Sequence, residues 1–160
     1  MPGENSLRRI PGRWPWLVAG ACAVALLLLI PLLAPGDTPG RIVSPREARD
    51  LTERGEAVLI DVRSPEEWRD TGVAGDARLA SIHNPEGMAG FMGEVLAIVD
   101  GDRDAPVILI CAAGVRSARA RRYLESGGFT NVVNLREGML GRADGEGWIA
   151  RGLPVEPCAC

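Results

Sequence analysis

The stretch Cys111-Ala112-Ala113-Gly114-Val115-Arg116-Ser117 holds the residue types and spacing in this 160-residue chain that best suit covalent chemistry. A cysteine becomes a strong nucleophile and a soft sulfur donor once it loses its proton. Here it follows directly on Val107-Ile108-Leu109-Ile110 and precedes a helical stretch beginning near Ser117. The small residues between let successive backbone N–H groups curl around the sulfur, and the next helix points its positive end at it. Gly114 permits the turn and Arg116 adds fixed positive charge. Surroundings of this kind favour the thiolate.

The rest of the composition removes competing chemistries. All 18 basic residues are Arg, so neither a Schiff-base lysine nor a phosphate-loop lysine is available. The single His83 and the four Cys at 22, 111, 158 and 160 lack paired CxxC spacing, so no metal site and no cofactor is expected. With 46% apolar and 24% charged residues the chain reads as one globular domain plus an appendage. The net charge of −3 divides into +2 over residues 1–36 and −5 over residues 37–160. A mildly acidic body lacks the basic face that nucleic acid requires, so small molecules or proteins are the expected partners.

The cysteine loop needs elements to position it. Val58-Leu59-Ile60 and Val107-Ile108-Leu109-Ile110 are short continuous apolar runs, the pattern of strands covered on both faces in a parallel sheet. Residues 131–135 read as a third, weaker strand. Ser44-Pro45-Arg46-Glu47 and Ser64-Pro65-Glu66-Glu67 each fit a capping box with Pro at the first helical position. Met88, Met92, Val95 and Val99 form one helical stripe; Ala120, Tyr123 and Leu124 form another, stopped by Gly127-Gly128. Strands alternating with helices imply a parallel sheet between helical layers, with ligands bound beyond the carboxyl ends of the strands. Asp61, Cys111 and Arg136-Glu137-Gly138 each follow a proposed strand, so they are expected on one rim.

Ahead of this body, residues 14–36 carry no charge. An apolar stretch of roughly 20 residues matches a hydrocarbon core of about 30 Å, longer than the 7–15 apolar residues or so of a cleaved signal. Residues 1–36 are therefore expected to be a membrane anchor, contacting the bilayer through residues 14–36; a signal segment cleaved near Ala34 is the alternative. Arg8, Arg9 and Arg13 precede the span and place the N-terminus inside, which puts the body outside the cytoplasm, in a bacterial periplasm or at the cell exterior. Cleavage would instead give a secreted protein. Residues 37–40 form a Pro/Gly linker, residues 41–157 the domain, and residues 158–160 a Cys-x-Cys tail.

Cys111-x-x-Gly114-x-Arg116-Ser117 resembles the active-site loop of the rhodanese (sulfurtransferase) family. Asp61-Val62-Arg63-Ser64-Pro65-Glu66-Glu67-Trp68, the glycine-bearing residues 72–77, Gly127-Gly128-Phe129 with Val132, and the closing stretch from Gly138 through Trp148 to Val155 are similar to other segments of that family. The resemblance covers roughly residues 41–155. It implies a three-layer α/β/α domain with a five-stranded, mainly parallel sheet. It also implies that Cys111 carries sulfane sulfur as a persulfide, taken from a small-molecule donor and passed to a thiol, cyanide or a protein thiol. The N–H groups of Ala112, Ala113, Gly114, Val115 and Arg116 would hold the charged sulfur, with Ser117 closing the loop. Asp61 and Arg63 would lock the loops.

Four residues separate Cys111 from Arg116, which resembles the sulfurtransferase loop and not the longer phosphatase one. Members that use thiosulfate often carry a cation inside the loop, where this chain has Ala112 and Ala113, so the donor stays open between thiosulfate and another sulfane-sulfur compound. Two other readings keep the same fold. One is a binding or redox-sensing module without turnover; the other is a thiol oxidoreductase pairing Cys111 with Cys158 and Cys160.

Overall fold

Apolar runs too short for a helix and free of polar interruption settle into a sheet when both faces are covered. The computed structural model, which describes residues 42–158 and Cys160, shows four such strands in parallel. They are β1 (Val58–Asp61), β3 (Arg78–Leu79), β4 (Val107–Ile110) and β5 (Val132–Asn134), arranged in the order β3-β1-β4-β5. β4 lies at the centre, and all four of its residues are buried. Its register pairs Ile60 with Leu109 and Asp61 with Ile110, which brings Asp61 and the residue after Ile110, Cys111, to the same rim.

Side chains alternate across a strand, so each central strand feeds two cores. Ile60, Val107 and Leu109 pack with Phe91, Val95, Ala120 and Leu124 on one face. Leu59, Ile108 and Ile110 pack with Val43, Ala48, Met139 and Trp148 on the other. The first face is covered by α3 (Gly87–Ile98) and α4 (Val115–Ser126), whose expected stripes supply Met88, Met92, Val95, Ala120, Tyr123 and Leu124. The second is covered by α1 (Pro45–Glu53) and the segment around Trp148. The three-layer expectation is met.

Both serine caps form. The Ser44 hydroxyl accepts from the Glu47 N–H, and Ser64 opens α2 (Pro65–Thr71) with a complete capping box to Glu67. A separate two-stranded antiparallel ribbon joins β2 (Val73–Ala74) to β6 (Val155–Glu156).

Two expectations are corrected. Among the described residues the main sheet has four strands and not five: at the fifth position Ile42 makes a single parallel bridge to Asn134. On its C-terminal side the bridge goes no further, because Ser44 caps a helix whose first residue is Pro45. The helix after Cys111 starts at Val115, two residues earlier than the expected Ser117.

The membrane or signal segment at residues 1–36 and the linker at 37–40 lie outside the described residues. Among the described residues no helix is long and apolar enough to cross a membrane.

Candidate active site

Cys111 stands at the carboxyl end of β4 with 1% of its surface exposed, and it is a free thiol. The fully buried Ser117 hydroxyl donates to its Sγ at 3.2 Å. Ser117 is the third residue of α4, so the fold delivers this hydroxyl from the first turn of the helix whose positive end faces the loop.

The loop conformation follows from where its carbonyls go. Cys111 O accepts from Met139 N at 2.8 Å and Ala112 O from Leu140 N at 2.9 Å. Ala113 O accepts from Arg142 Nη1 at 2.9 Å, and Gly114 O from Asn134 Nδ2 at 3.2 Å. Four successive carbonyls are thus held against the segment 134–142. In a trans peptide the N–H points opposite to the C=O, so the amides between these carbonyls face away from that segment. None of the six N–H groups from Ala112 to Ser117 donates to another group of the described chain. Six free donors in succession, at a helix N-terminus, make a receptor for an anion.

Two glycines allow this. Gly114 adopts φ +78°, and a Cβ there would come within 2.0 Å of Arg136 O. Gly138 adopts φ +64°, and a Cβ there would meet Cys111 O at 2.3 Å. The loop and its backing segment touch through bare backbone, which no side chain permits.

Asp61 and Arg63 form a buried ion pair, 0% and 1% exposed, with Arg63 Nη2 at 2.7 Å from Asp61 Oδ2. The same guanidinium donates to Gly72 O at 2.6 Å and to Thr71 Oγ1 at 2.7 Å. It ties the end of β1 to the end of α2, and neither group contacts the sulfur.

Arg116 differs from expectation. Its side chain is not a free charge at the loop: Nη1 and Nη2 bind both oxygens of Glu67, at 2.5 and 2.6 Å. This fork holds the Glu67 carboxyl well below the usual range, at about 2. The same carboxylate receives the Ser64 N–H in the capping box, so one side chain joins α2 to α4. Arg116 in turn is raised, first by its hydrogen bonds to Glu67 and further by that carboxylate's charge. Its backbone N–H stays in the loop with those of Ala112, Ala113, Gly114 and Val115. Sequence reading placed Glu67 only within a motif; its partner stands 49 residues away, a pairing that no local pattern signals. The backing role of Asn134 and Arg142 was likewise invisible.

The other candidates fall elsewhere. His83 is exposed, and Trp148 is a core residue, 0% exposed, whose Nε1 donates to Pro154 O. Cys158 and Cys160 are joined in a disulfide. Val115, at the start of α4, and Leu140, in the segment behind the loop, leave 69% and 59% of their surfaces exposed.

Fold and site together define a parallel α/β domain built around a cysteine-centred anion loop. The model of the Rhodanese-like domain family matches residues 44–142, and the chain belongs to that family. A thiosulfate sulfurtransferase GlpE from Actinobacillus pleuropneumoniae is 30% identical over 71% of this chain and 91% of its own length. A tRNA uridine(34) hydroxylase from Prochlorococcus marinus is 30% identical over 68% of this chain, which spans 35% of that protein. Among solved structures, Rv0390 from M. tuberculosis is 30% identical, with a TM-score of 0.56 over 73% of this chain and 97% of its own.

Proposed function

We propose that the domain is a sulfurtransferase in which Cys111 carries sulfane sulfur. The observation that carries this reading is the set of free N–H groups from Ala112 to Ser117, the first four of them aligned by carbonyls tied back behind them. The name and near-complete coverage of the GlpE relatives support it. The Cys111 thiolate attacks the outer sulfur of a donor such as thiosulfate; a new S–S bond forms, the old one breaks, and sulfite leaves. The resulting Cys111-S-S⁻ keeps one negative charge, displaced outward by one atom, and the same amides and the Ser117 hydroxyl stabilise both charge positions. A thiol or cyanide then attacks the outer sulfur and restores the thiolate. The loop serves as a preorganised electrostatic site that needs no rearrangement between the two half-reactions.

Ala112 and Ala113 place no cation over the loop, which favours a donor with less charge than thiosulfate. The hydroxylase relatives contain this domain within a chain about three times as long, so their activity would require parts beyond it. For location, the charge-free residues 14–36 and the preceding arginines support a tether with the domain outside the cytoplasm. Sedimentation of the full chain with membranes, and its digestion by protease added to cells whose outer layer has been opened, are the expected results; a soluble, protected chain would remove the tether.

The functional test is sulfur transfer from thiosulfate or polysulfide to cyanide. Wild type should form thiocyanate with ping-pong kinetics, and Cys111→Ser should form none. Equal rates in the two would end the proposal.

A further inference from the structure

The Cys158–Cys160 disulfide is absorbed by neither the fold nor the transfer step. It closes a loop of three residues, the span over which a disulfide constrains an unfolded chain least, so stability does not explain it. Cys160 is exposed and Cys158 half-buried, so exchange partners can reach the pair. Its position is also fixed. β6 runs antiparallel to β2 with Glu156 opposite Val73, so the chain beyond it heads back toward Gly72 and α2. There Arg69 Nη1 donates to Cys160 O at 3.1 Å. Gly72 O is held by Arg63, and Glu67 of the same helix α2 grips Arg116. The tail therefore docks on the helix that clamps the cysteine loop, and residues 157–160, once undocked, reach up to about 13 Å from β6.

We propose that Cys158 and Cys160 form a redox-active pair that discharges the Cys111 persulfide as sulfide. This rests on the sulfurtransferase reading above. One tail thiolate attacks the outer sulfur of Cys111-S-SH; the bond between inner and outer sulfur breaks, and Cys111 leaves as thiolate. The second tail thiolate attacks the first tail sulfur, closes the disulfide and expels HS⁻. In sum, Cys111-S-SH and two thiols give Cys111-SH, one disulfide and H₂S. The sulfane sulfur gains two electrons and the tail loses two. The disulfide in the structure is the discharged state, and a dithiol reductant of the thiol–disulfide exchange class reopens it.

The test uses the full chain, reduced with a phosphine, freed of it and given one equivalent of thiosulfate or a polysulfide, with sulfide followed from the moment of mixing. Wild type should release about one sulfide per chain without added thiol and end with the tail oxidised. A Cys158→Ser/Cys160→Ser chain should keep one cyanide-removable sulfur on Cys111 and release less than a tenth as much sulfide; Cys111→Ser should release equally little and hold no such sulfur. If wild type and the tail variant hold the sulfur equally long, the tail proposal is overturned and the sulfurtransferase reading stands. If the tail variant acquires no sulfur from either donor, both fall.

Discussion

Ser117 places one buried hydroxyl against the Cys111 sulfur. It has a single hydrogen to give and gives it to Cys111 Sγ. Hydrogen bonds to charged groups contribute roughly 1.5–3 kcal/mol, so Ser117→Ala should slow sulfur transfer ten- to a hundredfold while shifting stability by only about 1 kcal/mol. Paired kinetics and urea titration check this, and unchanged transfer would separate the hydroxyl from the chemistry. At this scale the sequence was informative where chemistry is local. Cys111, the small residues after it and Gly114 are adjacent in the chain, and their joint meaning is legible. Glu67 was not legible as the partner of Arg116, nor Asn134 and Arg142 as supports for loop carbonyls, because each meets the loop only through the fold. The expected lock at Asp61 and Arg63 corresponds to a buried ion pair that ties the end of β1 to the end of α2. Asp61→Asn leaves Arg63 charged and under-partnered in the interior, which should cost about 3–5 kcal/mol in chemical denaturation.

Elements meet at the loop through two contacts of opposite kind, bare backbone and a charged fork. Gly114→Ala must place a Cβ against Arg136 O at a left-handed backbone position, so the loop and the segment behind it cannot both stay in place. A loss of at least ~3 kcal/mol is expected, with thermal melting as the readout. The Glu67–Arg116 fork has a pH signature. Glu67 is lowered from 4.5 to about 2, so its contribution is fully present above pH 4.5 and is lost as pH falls toward 2. Both side chains keep roughly 30% of their surface in solvent, which screens the pair to on the order of 1–2 kcal/mol. Glu67→Gln should therefore be less stable than wild type at pH 7, with the gap narrowing below pH 4.5; a constant gap down to pH 2 would assign the loss to packing. Strands β1 and β4 and both serine caps were legible because burial on two faces and Ser-Pro-x-Glu each leave a local pattern. The fifth strand was expected from family likeness alone, and among the described residues only the Ile42 bridge stands in its place, ended on its C-terminal side by the turn of Ser44-Pro45 into α1.

Across the whole molecule, one sheet carries two cores, and the loop sits where the central strand leaves both. Trp148, fully buried on the face shared with Ile108, Ile110 and Met139, anchors the segment that follows the loop's backing residues. Trp148→Ala should cost about 3–5 kcal/mol and weaken transfer along with folding, seen as parallel losses in melting temperature and activity. The three-layer class was legible because alternation of strands and helices admits few architectures; the registers and contacts that bring separate segments to one rim are properties of the assembled domain. The proposed function depends on Cys111 accepting one sulfur atom and holding it. Intact mass and peptide mapping of the full chain bearing Cys158→Ser/Cys160→Ser, after exposure to thiosulfate or polysulfide, measure this directly. The account predicts a single added sulfur that maps to Cys111, leaves on treatment with cyanide and is missing from the same chain carrying Cys111→Ser. A folded domain that gains no sulfur from either donor, or gains it elsewhere, would contradict it.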